Sequence, residues 1–250
     1  MPGTVVITGA SSGFGAATAR KFYEGGFRIV VAARRSERLA DLVADMDADR
    51  VHTITLDVSD RAAVDAAVQG LPDGFRDIDV LVNNAGLALG LAGADETDLD
   101  EWETMVDTNV KGLMYTTRLF LPLMVERGRG HVVNLGSVAA SWPYPGGNVY
   151  GGTKAFVQQF SRNLRADLLG KNIRVTNVEP GMSDTEFSLV RFDGDKTKAD
   201  KVYEGTEPLS GEDIAEIIYF VATLPPHINI NQLEVMPTCQ AWAPFAVHRE

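Results

Sequence analysis

Four polar side chains in the middle of the chain have the types and spacing of an acid/base site, and they are Asn109, Ser137, Tyr150 and Lys154. Tyr150 and Lys154 are four positions apart, so on a helix both side chains would project from the same face. An ammonium beside a phenol favours tyrosinate and lowers the phenol pKa towards neutral pH. We therefore predict that Tyr150 exchanges a proton with an alkoxide forming on a carbonyl group, while Ser137 donates a hydrogen bond to the same oxygen.

A glycine-rich turn follows the first hydrophobic run of the chain, and its candidate binding residues are Gly9, Ser11, Ser12, Gly13, Phe14 and Gly15. A helical pattern begins directly after it. Unpaired amides and the positive end of a helix dipole at such a place would face a pyrophosphate. Gly9 permits the tight turn, Gly13 the close approach of a cofactor, and Gly15 close helix packing. Although its spacing differs from the G-x-G-x-x-G fingerprint, the turn predicts a dinucleotide site.

The end of the second predicted strand bears on which nicotinamide cofactor is used. An acidic residue there would accept hydrogen bonds from a free ribose 2′-hydroxyl. The chain instead has Arg34 and Arg35, whose guanidinium groups suit a 2′-phosphate. We therefore predict NADP(H) rather than NAD(H), with Arg34 as the selecting residue. The alternative is that Arg34 is only a surface charge, and Arg35 is then the next candidate.

Further candidates for the cofactor site stand at the ends of the third and fourth predicted strands, namely Asp57, Val58, Asn83, Ala85 and Gly86. The carboxyl ends of parallel strands form the edge at which open α/β sheets bind ligands. Asp57 has two equally weighted interpretations. It accepts from the adenine amino group, or it caps the helix expected after Ser59.

These side chains need a scaffold of alternating strands and helices, which the hydrophobic pattern provides. Short β-branched runs predict strands at 4–8, 28–33, 51–57, 78–83, 131–137, 173–178 and 233–236. Amphipathic stretches predict helices at 16–24, 36–46, 61–69, 99–125, 149–168 and 211–224, with Ser36 and Ser210 as caps. The continuous apolar character of the strands indicates a sheet covered on both faces. The expected fold is a single-domain, doubly wound α/β Rossmann fold with a seven-stranded parallel sheet.

Composition narrows the functional classes further. The 250 residues fit one domain (1–250), and segment 182–208 is the one long irregular connection, expected to be a substrate loop that acts as a functional lid or is mobile. A formal charge of −11 argues against nucleic-acid binding. No apolar run predicts a membrane span, so we expect a cytoplasmic protein. The four histidines, at positions 52, 131, 227 and 248, lack ligand spacing, and Cys239 is alone, so no metal site or disulfide is expected.

The chain resembles the short-chain dehydrogenase/reductase family over nearly its whole length. The resemblance rests on the tetrad formed by Asn109, Ser137, Tyr150 and Lys154, on the glycine turn, and on the stretches Asn83-Asn84-Ala85-Gly86 and Pro180-Gly181. Each tetrad residue alone has an ordinary structural interpretation, but the joint pattern favours catalysis. The resemblance implies that Asn109 anchors a water joining Lys154 to solvent, and that Lys154 also bonds the nicotinamide ribose. It further implies cofactor contacts at Pro180, Gly181 and Thr185, and a homotetramer assembled through the helices at 99–125 and 149–168.

Stretches 141–154, 185–188 and 190–192 resemble one branch of that family more closely, the NADP-dependent 3-hydroxy acid dehydrogenases. The branch acts on serine, allo-threonine and 3-hydroxypropionate-like substrates, and some relatives reduce malonic semialdehyde or sulfoacetaldehyde. The stretch 181–185 is slightly shorter than is usual there and carries the acidic Asp184, which leaves the substrate open. The resemblance therefore implies a small anionic alcohol or carbonyl compound.

Such a substrate needs a cationic partner, and Arg191 on the expected lid is the candidate. Arg191 has an equally weighted alternative role in a surface ion pair with Asp193 or Asp195. Asn148 is the next candidate substrate contact. Two other functions stay open: a broader carbonyl or ketoacyl reductase, and a non-catalytic NADP-binding sensor.

Overall fold

A computed structural model describes residues 3–192, 194–242 and 247 of the chain. Asp193 and His248, both named above, lie outside these residues. The strands found in the described part are β1 (Thr4–Thr8), β2 (Arg28–Ala33), β3 (Val51–Thr55), β4 (Ile78–Asn83), β5 (Gly130–Leu135), β6 (Ile173–Pro180) and β7 (Gln232–Val235). They form one parallel sheet of seven strands in the order β3-β2-β1-β4-β5-β6-β7. The predicted fold class is confirmed.

Helices connect the strands and cover both faces of the sheet. In the described part of the chain they are α1 (Gly13–Glu24), α2 (Ser36–Val43), α3 (Arg61–Gln69), α4 (Leu99–Val106), α5 (Leu113–Arg127), α6 (Asn148–Asp167), α7 (Glu186–Arg191), α8 (Lys196–Tyr203) and α9 (Gly211–Thr223). None of these helices is long and apolar enough to cross a membrane.

The strands divide the apolar core into two layers, because successive strand residues point to opposite faces. Val5 and Ile7 of β1 pack on one side with Phe22 of α1 and Ile214 of α9. Val6 points the other way, into a cluster that contains Phe120 of α5 and Leu164 of α6. Burial on both faces explains why these strands are continuously apolar. The two layers hold the carboxyl ends of the strands in fixed register.

The long helix predicted over 99–125 is interrupted. Asp107–Gly112 forms a π-helical turn between α4 and α5, and Asn109 is buried within it. An extra residue in a turn of helix shifts the direction in which the following side chains point, and such turns are frequent at functional sites. The prediction missed the break because the hydrophobic pattern continues through it.

Segment 182–208 is less irregular than predicted, because it contains α7 and α8. The capping prediction for Ser36 was wrong, and the capping alternative for Asp57 does not hold for α3. Ser36 is the first residue of α2 and the capping position is Arg35. Asp57 accepts hydrogen bonds from the amide and hydroxyl of Ser59, but Asp60 caps α3. Ser210 caps α9 in a reciprocal arrangement with Asp213, so that prediction is confirmed.

Candidate active site

A cavity of about 550 Å³ lies at the carboxyl edge of the sheet, lined by residues that follow β1, β2, β4, β5 and β6. Its lining includes most of the predicted site residues: Gly9, Ser11, Ser12, Phe14, Arg34, Arg35, Asp57, Val58, Ala85, Gly86, Ser137, Tyr150, Lys154, Pro180, Gly181 and Arg191. Residues from the two halves of the sequence therefore meet in one cleft. The shape suits an extended ligand with a smaller molecule at one end.

The glycine turn at the end of β1 is held by the fourth strand. The hydroxyl of Thr8 accepts hydrogen bonds from the amides of Asn84 and Ala85, and the Asn84 side chain donates to the Thr8 and Gly9 carbonyls. Gly9 has φ +67°, and an added Cβ would lie 2.8 Å from Ala85 Cα. Only glycine fits this close, left-handed turn.

The start of α1 is open for an anion. Ser12 stands at the capping position of α1 but makes no capping hydrogen bond with its side chain to any residue that the structure describes. Its hydroxyl instead accepts from Arg35, 2.8 Å away. The first amides of α1 thus remain uncapped beside the cavity, which fits the pyrophosphate of a dinucleotide.

Two arginines at the end of β2 occupy different positions. Arg35 donates to the hydroxyls of Ser11 and Ser12 and to the carboxylate of Glu186. Arg34 is exposed, lines the cavity and lies close enough to Asp57 to lower the pKa of that carboxyl group. Burial would raise the pKa of Asp57, but hydrogen bonds from Ser59 and the positive charge of Arg34 hold it below its usual value.

Tyr150 and Lys154 stand on the inner face of α6, and both side chains are buried. Burial raises the pKa of Tyr150 to about 12, although a hydrogen bond with Ser137 and the charge of Arg191 oppose the increase. Burial lowers the pKa of Lys154 to about 8. Without a bound cofactor, the Tyr150 pKa is therefore raised and not lowered, because desolvation of the phenolate outweighs the positive charge of Arg191.

Asn109 is fully engaged with backbone and a neighbouring hydroxyl. Its Oδ1 accepts from the Leu87 amide at 2.9 Å, and its Nδ2 donates to the Leu87 carbonyl and to the Thr153 hydroxyl. Thr153 in turn donates to the carbonyl of Tyr150 at 2.8 Å. The amide side chain therefore joins the π-helical turn to α6 and fixes the backbone beside Gly86.

Helix α7 lines the cavity and brings two side chains next to Tyr150. The ring of Phe187 lies 5.7 Å from that of Tyr150, measured between centroids. The guanidinium carbon of Arg191 lies 5.5 Å from the centroids of both Tyr144 and Tyr150. Arg191 also donates to the Tyr144 hydroxyl. Its buried Nε has no hydrogen-bond partner among the described residues.

Some predicted site residues lie outside the lining of the cavity. Gly13, Gly15 and Asn109 stand immediately behind it, and Thr185 caps α7 beside Gly13. The Asn83 side chain faces the interior, where it bonds Thr116, Thr117 and Asn134. The exposed side chain of Asn148 bonds Trp102 and the Ala92 carbonyl. It lines a neighbouring hollow instead.

The cavity is also lined by residues that sequence reasoning did not assign to it, among them Asn84, Tyr144, Glu186, Tyr203 and Gln240. Asn84 lies within the quoted Asn-Asn-Ala-Gly stretch, and Tyr144 and Glu186 lie within the stretches quoted for the branch, so a signal was present for these three. Tyr203 and Gln240 depend on how distant segments fold back onto the cleft. The Gln240 side chain accepts a hydrogen bond from the Met182 amide at 2.7 Å.

Comparisons with known proteins agree with this geometry. The model of the short chain dehydrogenase family matches residues 3–195. The NADP-dependent 3-hydroxy acid dehydrogenase YdfG of Salmonella typhi is 56% identical over 98% of this chain and 99% of its own. Sulfoacetaldehyde reductase 2 of Chromohalobacter salexigens is 54% identical, with all of both chains covered. The closed form of a serine dehydrogenase complexed with NADP+ is 52% identical, with a TM-score of 0.95 over 99% of this chain and 100% of that one. The chain belongs to the short-chain dehydrogenase/reductase family.

Proposed function

We propose that the protein is an NADP(H)-dependent oxidoreductase that interconverts a small 3-hydroxy acid and its oxo or semialdehyde form. Serine, allo-threonine and 3-hydroxypropionate are the expected types of alcohol substrate. Three features support the proposal: one cavity that includes the glycine turn and the end of β2, the pair Tyr150 and Lys154 in its lining, and the cation of Arg191 next to Tyr150. The similar proteins described above carry names that fit the same reaction class.

The proposed cofactor contacts use both ends of the cleft. The uncapped amides of α1 and the turn from Gly9 to Gly15 suit the pyrophosphate. Arg34 would pair with the 2′-phosphate, since β2 ends without an acid. Pro180, Gly181 and Thr185 would border the nicotinamide half. NADPH, when bound, supplies the hydride, and the protein's part is to orient the substrate and move a proton.

Tyr150 is the proposed general acid in reduction and general base in oxidation. Ser137 and Tyr150 line the same cavity, and Ser137 lies close enough to the Tyr150 hydroxyl to lower its pKa, so we propose that both contact one substrate oxygen. Ser137 would stabilise the developing negative charge there. Lys154 keeps a cation within 5.8 Å of the Tyr150 ring centroid, which favours loss of the phenolic proton during oxidation. Asn109 is a proposed positioning residue that also anchors a water on the route from Lys154 to solvent.

The proposal of an acidic substrate depends on the surroundings of Arg191. A buried guanidinium N–H without a partner among the described residues is costly unless a ligand accepts from it. The guanidinium of Arg191 that carries this N–H also lies beside the ring of Tyr150. A carboxylate or sulfonate attached one or two carbons from the reacting carbonyl would satisfy both conditions at once. This favours an acidic substrate over a neutral one.

The alternatives differ in the acid group and in chain length. Sulfoacetaldehyde would present a sulfonate to Arg191 in the same way as malonic semialdehyde presents a carboxylate. A ketoacyl substrate on an acyl carrier would need a basic entrance, which a formal charge of −11 disfavours. A non-catalytic NADP sensor would not require the buried pairing of Tyr150 with Lys154.

Residence in the cytoplasm and assembly as a homotetramer stay predictions.

A direct test is to follow NADPH fluorescence with the wild-type protein and four carbonyl compounds of matched concentration: malonic semialdehyde, sulfoacetaldehyde, propanal and an acetoacetyl thioester. We expect kcat/KM to be highest for one of the two small anionic aldehydes and at least about tenfold lower for propanal. Oxidation of serine with NADP+ checks the reverse direction. Turnover of the thioester above both aldehydes would favour the ketoacyl reductase, and no turnover with any compound would favour the sensor.

A further inference from the structure

Helix α7 is held at both ends, and the two attachments lie on opposite sides of the cleft. At its first residue, Glu186 contacts the cofactor side of the cavity. At its last residue, the Arg191 carbonyl accepts a hydrogen bond from the amide of Gly90, 3.1 Å away. Six residues therefore bridge the turn beside the glycine-rich loop and the loop that follows β4.

The attachment at Glu186 is ionic. One carboxylate oxygen accepts from Arg35 at 3.1 Å, and the other accepts from Arg38, one turn further along α2. The same Arg35 guanidinium bonds the hydroxyls of Ser11 and Ser12. Thr185, the capping residue of α7, packs next to Gly13. The start of α7 thus rests on the rim of the proposed pyrophosphate site.

The other end of α7 contacts the catalytic tyrosine. Phe187 and Arg191 both lie beside Tyr150, and they follow Glu186 by one and five residues. A helix this short makes few internal hydrogen bonds, so its position depends on contacts made at its ends. Moving its start away from α2 would also move Phe187 and Arg191 away from the reacting groups.

We propose that Glu186 is a positioning residue: its ion pairs with Arg35 and Arg38 hold α7 across the cleft, retaining the bound cofactor and placing Arg191 for the substrate. The proposal rests on the proposed function for the identity of both ligands. Glu186 touches neither reacting atoms nor the transferred hydride. It acts through the helix that it anchors.

Charge and exposure indicate that this attachment is reversible. Hydrogen bonds from Arg38 and Arg35 lower the pKa of Glu186 despite partial burial, so the carboxylate is ionised at neutral pH. The three side chains are 36–46% exposed, and ion pairs at such positions are modest and weakened by salt. Cofactor exchange would then require only the separation of these charges.

The test compares Glu186→Gln, Arg38→Gln and the double variant, because Arg38 contacts Glu186 without lining the cavity. NADPH dissociation is measured by stopped-flow fluorescence at low and high salt. We expect each single change to speed dissociation about three- to tenfold and the double change to add little further. The wild-type rate should rise with salt, whereas that of Glu186→Gln should respond less. Glu186→Asp should restore part of the retention.

Asp200→Asn is the matched control, since it removes the exposed Lys196–Asp200 ion pair on α8 without touching α2. We expect that variant to release NADPH at the wild-type rate, and all variants to keep melting temperatures within a few degrees. The Michaelis constant for an acidic aldehyde should rise in Glu186→Gln, because Arg191 loses its fixed position.

Two results separate this proposal from the function on which it rests. A wild-type protein that does not bind NADPH would overturn both. If the wild-type protein binds NADPH and both Glu186→Gln and Arg38→Gln release it at the wild-type rate, the positioning role alone would be overturned. Strictly multiplicative effects of the two changes would also overturn it, because the residues would then act independently.

Discussion

The ammonium of Lys154 donates a hydrogen bond to the carbonyl oxygen of Leu135, with Nζ and the oxygen 2.8 Å apart. Leu135 ends β5, two residues before Ser137. One buried cation therefore fixes the strand end that carries Ser137 and also lies beside the Tyr150 ring. The resemblance to short-chain dehydrogenases adds an expected contact to the nicotinamide ribose, so we expect Lys154 to serve turnover and cofactor binding together.

Replacing Lys154 with Met should lower kcat and also weaken NADPH binding, because methionine keeps the apolar stem but removes the charge and the donors. The turnover of the variant is obtained from initial rates, and the NADPH dissociation constant from a fluorescence titration. An unchanged dissociation constant would contradict the ribose contact.

Arg34→Ala should raise the Michaelis constant for NADPH about tenfold or more while changing that for NADH little, since charge-assisted hydrogen bonds to the 2′-phosphate are lost. The two constants are measured with the same aldehyde at saturation. Arg20→Ala is a suitable control, because Arg20 pairs with Asp45 on the surface. If both cofactors weaken equally, the selecting cation is not Arg34, and Arg35 becomes the residue to test.

Arg191→Leu should reduce kcat/KM for an acidic aldehyde selectively and leave that for a neutral aldehyde of similar size within a few-fold. The reason is that the guanidinium interacts with the acid group, whereas the reacting carbonyl is held by Tyr150 and Ser137. Tyr144→Phe, measured in parallel, shows whether the hydroxyl to which Arg191 donates is needed for this selectivity. Parallel losses for both aldehydes would show that Arg191 only supports the lid.

His131 makes the fold sensitive to acid. Thr176 donates its hydroxyl proton to the Ile230 carbonyl, so it accepts from His131 Nε2, and the buried Nδ1 has no partner among the described residues. Burial, with the charge of Arg174, lowers the pKa of His131 well below 6.5. Between pH 6.5 and that lower pKa, only the unfolded state takes up the proton.

The free energy of unfolding should therefore fall as the pH drops below 6.5, by up to about 1.4 kcal/mol for each unit from this group. Urea unfolding at pH 7.5 and 5.5 measures the loss. His131→Leu should reduce the difference between the two pH values, and His227→Gln, at an exposed position, should preserve it. The same pH dependence in His131→Leu and wild type would contradict this assignment.

The sequence predicted the sheet well because β1, β2, β4, β5 and β6 are mostly apolar and buried, a pattern that depends on local residues alone. It also predicted which residues meet at the cleft, since parallel strands end at one edge. The strand β3 ends two residues earlier than expected, before Leu56, and β6 extends two residues further, through Pro180.

What the sequence missed depends on interactions between distant segments. The π-helical turn around Asn109 breaks no hydrophobic period, so nothing in the pattern marked it. The raised pKa of Tyr150 follows from its burial, which spacing does not reveal. The ion pairs of Glu186 join residues about 150 positions apart in the chain. Such contacts form only when α7 is folded against the start of α2.

The most direct test of the proposed function is Tyr150→Phe, assayed for NADPH oxidation with the best aldehyde and for NADPH affinity by fluorescence. In the proposed function the hydroxyl acts on the substrate oxygen and contributes little to cofactor anchoring, so turnover should fall at least about a hundredfold while the dissociation constant changes only a few-fold. Turnover within tenfold of wild type would contradict the role of Tyr150 as the general acid and base.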